Sequence, residues 1–482
     1  MSPPVRRGTA PGRHVYDAIV VGGQLPGIIA TALLARRGLQ VLHVPHDGLS
    51  QPYTHGELKL PQAPFLIPPV KGTPAFDEVL SELGLSAVIS RMVQATSLQL
   101  LSPGQWFELT HDEKRRGPEL ARALGDAAEA FDELTRKAQA SADASDAFFQ
   151  SKPDLPPDGL IARWKFKRHV ARFAGLETDT PLPADQLLTK LRPFVSSSDV
   201  PLARARTLGR TLAGPAIFPG GREGLWAQLA DRARELGADV LPGDEPIERL
   251  VLEGAGAGVR LSRHDAVYRA AFVVAAMDLD VLTRLVPDKQ RKAAAKALPQ
   301  VNADKAIFTL HLSLPERALP RGFGTLALLE APELEGGALL LQVLPGVNAE
   351  QRVLAVSGLA AIGLRAGGEP AVRAFTAQLH AAVARVMPFT KAHITAETTP
   401  WLDAPRVVAG EGEPAPLFQL PESSWLGVSG HGTQSPWKRV LLSSRQVLPG
   451  LGFEGEVLAA QRAVRQVEAV LRKNDPLKRK TA

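Results

Sequence analysis

The residues whose types and spacing could do chemistry begin at a glycine turn, Gly22-Gly23-Gln24-Leu25-Pro26-Gly27. Glycines at the first and last positions of a G-x-G-x-x-G turn let a strand pass tightly into a helix whose N-terminus faces a dinucleotide diphosphate. Gln24 holds the middle position, where a side chain obstructs the approach of a diphosphate to the backbone. Pro26 removes one N–H from what would be an anion nest. A carboxylate at the end of the second strand would take ribose hydroxyls; Pro45 stands there instead, with Asp47 two residues further on. The turn keeps the shape of a nucleotide site and departs from its chemistry.

The histidines offer less. His43 and His46, with Asp47, are weak metal ligands at this spacing and are expected to be exposed at a strand end, so no metal site is expected. His311 falls in a strand pattern and reads as a packed or surface residue. His431, in the loop SGHGTQSPW, is better placed to face a pocket, against the plainer account of a loop histidine. No catalytic acid or base is assigned. The absence of cysteine excludes disulfides, thiolate catalysis and iron–sulfur ligation, and fits a cytoplasmic protein.

The elements that position the turn follow from hydrophobic pattern. Ala18 to Val21 is a short β-branched apolar run, Ile28 to Arg37 has helix length and closes at Gly38, and Val41 to Val44 is a second apolar run. Residues 45–75 read as a Pro- and Gly-punctuated crossing, and residues 76–95 have helical spacing interrupted at Gly84. Ser97 to Leu109 predicts a strand pair around Pro103-Gly104, and Pro118 to Ala147 a long solvated helix. Ile161 to Phe173 is basic, with Arg163, Lys165, Lys167, Arg168 and Arg172 and no acidic residue. It could lie on an anionic membrane surface; the reading favoured here is a surface helix that packs Trp164 and its phenylalanines into the protein.

Residues 206–275 carry a second ordered signal. A strand enters Pro219-Gly220-Gly221, a helix runs from Arg222 to Leu236, and a short strand passes through Val240. Ile247 to Leu252 pairs with Val259 to Leu261 around a glycine cluster, and Ala271 to Ala275 ends in Ala276-Met277-Asp278. This segment resembles the middle of phytoene-desaturase-type flavoproteins, within the wider group that includes the flavin amine oxidases. Those proteins show a P-x-G-G turn, a helix, and a V-x-x-I strand at the adenine end of the flavin cofactor, read here as Ile247-Glu248-Arg249-Leu250. Their closing P-G-x-G-x-x-G turn and helix match Pro449, Gly450, Gly452 and Gly455. Just upstream this chain has Leu441-Leu442-Ser443-Ser444-Arg445 where the family has a glycine or an acidic residue.

The resemblance implies an α/β fold, with a Rossmann-like FAD-binding domain on a parallel sheet and a second mixed-sheet α+β substrate domain. The first would comprise residues 15–75, 215–300 and 425–473; the second, residues 76–214 and 301–424 with a helical insert; 1–14 and 474–482 would be tails. It implies FAD at Gly22, Gly23, Gly27, Gly220, Gly221, Ile247, Gly450 and Gly452, and an oxidoreductase acting on an apolar or amphipathic small molecule. The altered turn supports another reading, a cofactor-free pseudoenzyme that binds a small molecule or a protein partner, similar in this respect to the prenylated-GTPase escort proteins.

Composition bounds both. The 482 residues, 45% hydrophobic and 22% charged, suit two or three soluble domains. A net charge of +6 and the lack of basic–aromatic or zinc-finger motifs argue against a nucleic-acid partner. No run is apolar and long enough to span a bilayer. Oligomeric state is not legible.

Overall fold

The computed structural model describes residues 13–46, 52–67, 74–153, 155–157, 159–173, 190–196, 201–212, 214–243, 245–252, 256–263, 266–288, 290–291, 301–403, 415–421 and 424–473. Asp47, most of the N-terminal tail and the basic C-terminal tail lie outside them.

Strand β1 (Val15–Val21), helix α1 (Leu25–Arg36) and strand β2 (Val41–Val44) form the nucleotide-type unit. β1 lies between β2 and the strand Val267–Ala275, parallel to both, and Asp239–Val240 extends the sheet beyond β2. Val440–Leu442 joins parallel to Val273–Ala275, so one sheet draws on the beginning, middle and end of the chain. The hairpin Ile247–Val251 and Ala257–Leu261 completes it as an antiparallel flank.

α1 is buried from Leu25 to Ala35 because it packs between the sheet, the helix Gly221–Glu235 and the C-terminal helix Gly452–Lys473. A helix covered on all sides is apolar all round, which its sequence is. It begins at Leu25, before the expected Ile28, because Pro26 falls in the first turn, where a missing N–H leaves nothing unpaired.

The second sheet has the order Ala396–Thr398, Ala303–Pro315, Gln351–Ala361, Ala338–Pro345, Leu326–Glu330, Ser97–Ser102, Gln105–Thr110. Its pairings are antiparallel except Leu326–Glu330 with Ser97–Ser102. Alternation divides the faces. Ala306, Phe308, Leu310 and Leu312 meet the helix Gly368–Val386 and Trp401, while Ile307 faces the helical insert with Phe131, Leu134 and Ala138.

Three expectations change. The long solvated helix is two, Glu113–Leu124 and Ala128–Gln150, broken at Gly125, whose φ of +54° suits glycine. The second buries Phe131, Leu134, Ala138, Phe148 and Phe149, a stripe at helical spacing hidden among charges. The spacing over 76–95 ends early: the helix Pro74–Leu83 stops at Gly84, and Val93–Gln94 pairs as a strand with Ala216–Ile217. Finally, the basic helix runs over Gly159–Val170 and buries Phe166 but leaves Trp164 58% exposed. Trp164 lies on the face of Leu160 and Arg168, away from Phe166.

Candidate functional site

Chain packing alone demands two glycines of the β1–α1 turn, Gly22 and Gly27. A Cβ on Gly22, at φ +104°, would overlap the Ala276 carbonyl oxygen, and one on Gly27 would stand 2.5 Å from the Ala276 Cβ. The turn's donors also have internal acceptors. Gly22 N–H donates to the Val44 carbonyl at 2.9 Å, Gln24 N–H to Ala276 at 3.3 Å, and Gly27 N–H to Gln24 at 3.0 Å. Little of an anion nest is left.

The middle-position side chain is held in place. Gln24, 4% exposed, donates from Nε2 to Asp278 Oδ1 at 2.7 Å and accepts from the Arg445 backbone N–H at 3.0 Å. The Arg445 guanidinium grips the same carboxylate with Nε on Oδ1 at 3.0 Å and Nη2 on Oδ2 at 2.6 Å. This two-pronged geometry is the strong form of an ion pair, and both side chains are nearly out of water. Asp278 follows the strand Val267–Ala275 and Arg445 follows Ser443-Ser444, so two of the altered stretches, at Gln24 and at Arg445, meet here. Arg445 and Gln24 close on one aspartate.

Two histidines fill the neighbouring space, and neither is exposed as expected. His43 Nε2 lies 3.0 Å from the Gly22 carbonyl and Nδ1 2.7 Å from the Thr31 hydroxyl. A carbonyl only accepts, so Nε2 carries the proton and Nδ1 accepts from Thr31. Burial pushes this imidazole down to about 3, so it stays neutral. His46 Nδ1 accepts the Ile247 N–H at 2.9 Å, and burial lowers it to about 4. Ile247 was expected at the adenine end of a flavin; its N–H instead serves the chain's own side chain.

At the C-terminal turn, a Cβ on Gly452 or on Gly455 would overlap a carbonyl oxygen, of Val195 and Leu448 respectively. Gly450 N–H donates to Val428, and its carbonyl accepts from Ser196 Oγ at 2.7 Å. Gly220 and Gly221 take positive φ, +78° and +67°, at the start of the helix Gly221–Glu235.

A cavity of about 120 Å³ has Gly23, Gln24, Arg445 and Gly452 on the cradle side and Ile307 and Leu417 of the second sheet on the other. Aromatic walls come from Phe65, Phe194, Phe418 and Phe453. Besides Arg445, its ionic residues are Arg222, Glu223 and Glu456. Arg222 pairs with Glu456 at 2.6 Å and lies over the Phe65 ring. Glu223, 3% exposed, accepts the Gln62 N–H on Oε1 at 3.0 Å, whereas its Oε2 has no hydrogen-bond partner among the described residues. Burial pushes the Glu223 carboxyl up to about 7 against the opposing pull of the Gln62 N–H and of its own backbone N–H. Sequence reasoning missed Glu223. It sits inside Gly220-Gly221-Arg222-Glu223-Gly224, where the glycines draw the eye and the acid reads as a helix-start residue.

The other histidines separate. His311 is buried in the second sheet with Nδ1 2.6 Å from the Tyr53 hydroxyl, far from the cradle in chain and element. His431 is buried with neither ring nitrogen partnered among the described residues, and burial lowers it to about 4 although Asp278 favours its cation. No group of three or more potential metal ligands occurs among the described residues.

No known family profile matches the chain, and no curated protein matches its sequence. Solved structures do match in fold. A putrescine oxidase bound to putrescine superposes with TM-score 0.55 at 16% identity, over 94% of this chain and 99% of that one. A cyclohexylamine oxidase from Brevibacterium oxydans gives 0.52 at 16% identity, over 95% and 99%. An oxidoreductase from Methanosarcina mazei gives 0.54 at 12%, over 93% and 99%. Identities this low speak for the fold, and that fold is the FAD-binding oxidoreductase architecture with a Rossmann-like domain. The resemblance to phytoene desaturases thereby widens to the flavin oxidoreductase fold as a whole.

An FAD does not fit the cradle as these residues build it. Gln24 is tied across the diphosphate position, and the Ile247 N–H is taken by His46.

Proposed function

We propose that this chain keeps the two-domain flavoprotein frame and works without a flavin, as a binding module for a small apolar or amphipathic molecule held between its domains. The observation that carries this reading is the closed set Gln24–Asp278–Arg445. The cavity lies beside that set. Its aromatic walls suit an apolar body. Glu223 in the lining suits one hydrogen-bond donor, and an aliphatic amine of the kind named in the putrescine and cyclohexylamine oxidases has that polarity.

The test uses purified full-length protein. The expected material is colourless, gains no thermal stability from added FAD, and is stabilised by cyclohexylamine more than by cyclohexane. Loss of the amine effect in Glu223→Gln assigns the donor contact. A yellow protein that releases stoichiometric flavin on denaturation overturns the reading. It would support the second one, favoured by the end-to-end match in fold: an FAD-dependent oxidoreductase on an apolar or amphipathic substrate, resembling the carotenoid desaturases or amine oxidases.

A further inference from the structure

The helix Gly159–Val170 has two faces with different fates. Its inner face is fixed by rings: Phe166 meets Phe148 and Trp425 edge-on at 5.8 and 5.2 Å, and His169 lies 5.5 Å from Phe148. Phe173, just past the helix, reaches Phe148 at 5.4 Å. This anchoring sets the rotation of the helix, so the outward direction of the other face is determined.

That outer face is apolar at its centre. Leu160 is 83% exposed, Ile161 73% and Trp164 58%. Single exposed apolar residues are ordinary on any protein, but these are three of the nine large ones among the described residues, within five positions. At about 100° per residue, Leu160, Trp164 and Arg168 share one stripe, with Ile161 beside it. Arg163 and Lys167 flank the stripe on one side, Lys165 and Arg172 on the other, and all five cations are exposed. Arg168 lies over the Trp164 ring at 4.8 Å. No acidic residue occurs from Leu160 to Phe173.

We infer that this face docks the protein on an anionic lipid surface, independently of what the cavity holds. Apolar side chains between cations match a bilayer interface: Leu160, Ile161 and Trp164 enter the headgroup–acyl boundary, while the long basic chains reach phosphates around them. A tryptophan suits that depth, with an apolar ring and a polar N–H. Charge complementarity selects anionic over zwitterionic lipid. No helix among the described residues is long and apolar enough to cross a membrane, so the contact is peripheral.

Sedimentation of the full chain with vesicles tests this. The protein is expected to bind vesicles of phosphatidylcholine with phosphatidylserine, to bind pure phosphatidylcholine weakly, and to release with added salt. Neutralising Lys165, Lys167 and Arg168 together to Gln should weaken binding on the order of a hundredfold. Leu160→Ser with Trp164→Ser should weaken it too, and because these side chains are exposed the melting temperature should hold, which separates lost docking from lost folding. Equal binding to both vesicle types, no binding to either, or binding untouched by both variants would overturn the proposal. So would tighter binding to single-stranded nucleic acid or to a protein than to anionic vesicles.

Discussion

The cradle and the cavity adjoin, and they treat their polar groups in opposite ways. In the cradle the side chains at the altered positions have partners within the chain: Gln24 and Arg445 on Asp278, and His46 on the Ile247 N–H. In the cavity a few residues away, Glu223 is as deeply buried, yet one carboxyl oxygen goes unpaired. Buried polar atoms without partners are costly and uncommon. The difference teaches that the Gln24 side of the turn is held by partners within the chain, while one buried oxygen of Glu223 is not.

The largest effects should come from the frame both sites share. Gly22→Ala puts a Cβ onto the Ala276 carbonyl at a φ of +104°, and should cost more than about 4 kcal/mol, read as loss of cooperative melting. A tolerated alanine would mean that the turn is set differently.

Next comes the cradle's own closure. Arg445→Ala leaves the Asp278 carboxylate buried without its cation and should cost about 3–5 kcal/mol in denaturant unfolding. Asp278→Asn together with Arg445→Gln should cost much less than either single change, because no lone charge is left. Additive losses would show that the two residues do not act as a set.

The two regions should also answer pH with opposite sign. Glu223 is raised to about 7 from an ordinary 4.5, so its contribution is fully present below about pH 4.5 and is lost as pH rises through 7. His46 is lowered to about 4 from 6.5, so its contribution is present above about pH 6.5 and is lost as pH falls towards 4. Each shift corresponds to about 3 kcal/mol as an upper bound. Glu223→Gln should therefore flatten the stability profile near neutrality, and His46→Asn should flatten its acid side, as followed by melting temperature against pH. Exchange of these two effects would break the comparison.

The smallest effect is a gain. Gln24→Gly with Pro45→Glu reopens the diphosphate position and restores a ribose acceptor, and should tighten FAD binding about tenfold, or ~1.4 kcal/mol, in a fluorescence titration. No gain would mean that Arg445 and His46 hold the cradle shut without Gln24.

Much of the fold was legible because glycine turns and hydrophobic periods are local. The run from Tyr16 to Val44 and the strand ending at Ala275 stand where residue pattern placed them, and the C-terminal helix where the resemblance implied it. The departures Gln24, Pro45 and Arg445 were legible as departures. Their meaning was not, since Gln24 meets partners 254 and 421 positions away, and His46 meets Ile247 at a separation of 201. The outward turn of Trp164 escaped for another reason: both faces of that helix carry apolar residues, and only the Phe148 cluster decides which face is inside.

The most direct measurement is the flavin content of freshly purified protein, by visible absorbance before and after denaturation, followed by an FAD titration of its melting temperature. A self-closed cradle predicts no flavin band and no shift with FAD. Near-stoichiometric flavin, released on unfolding, would contradict it.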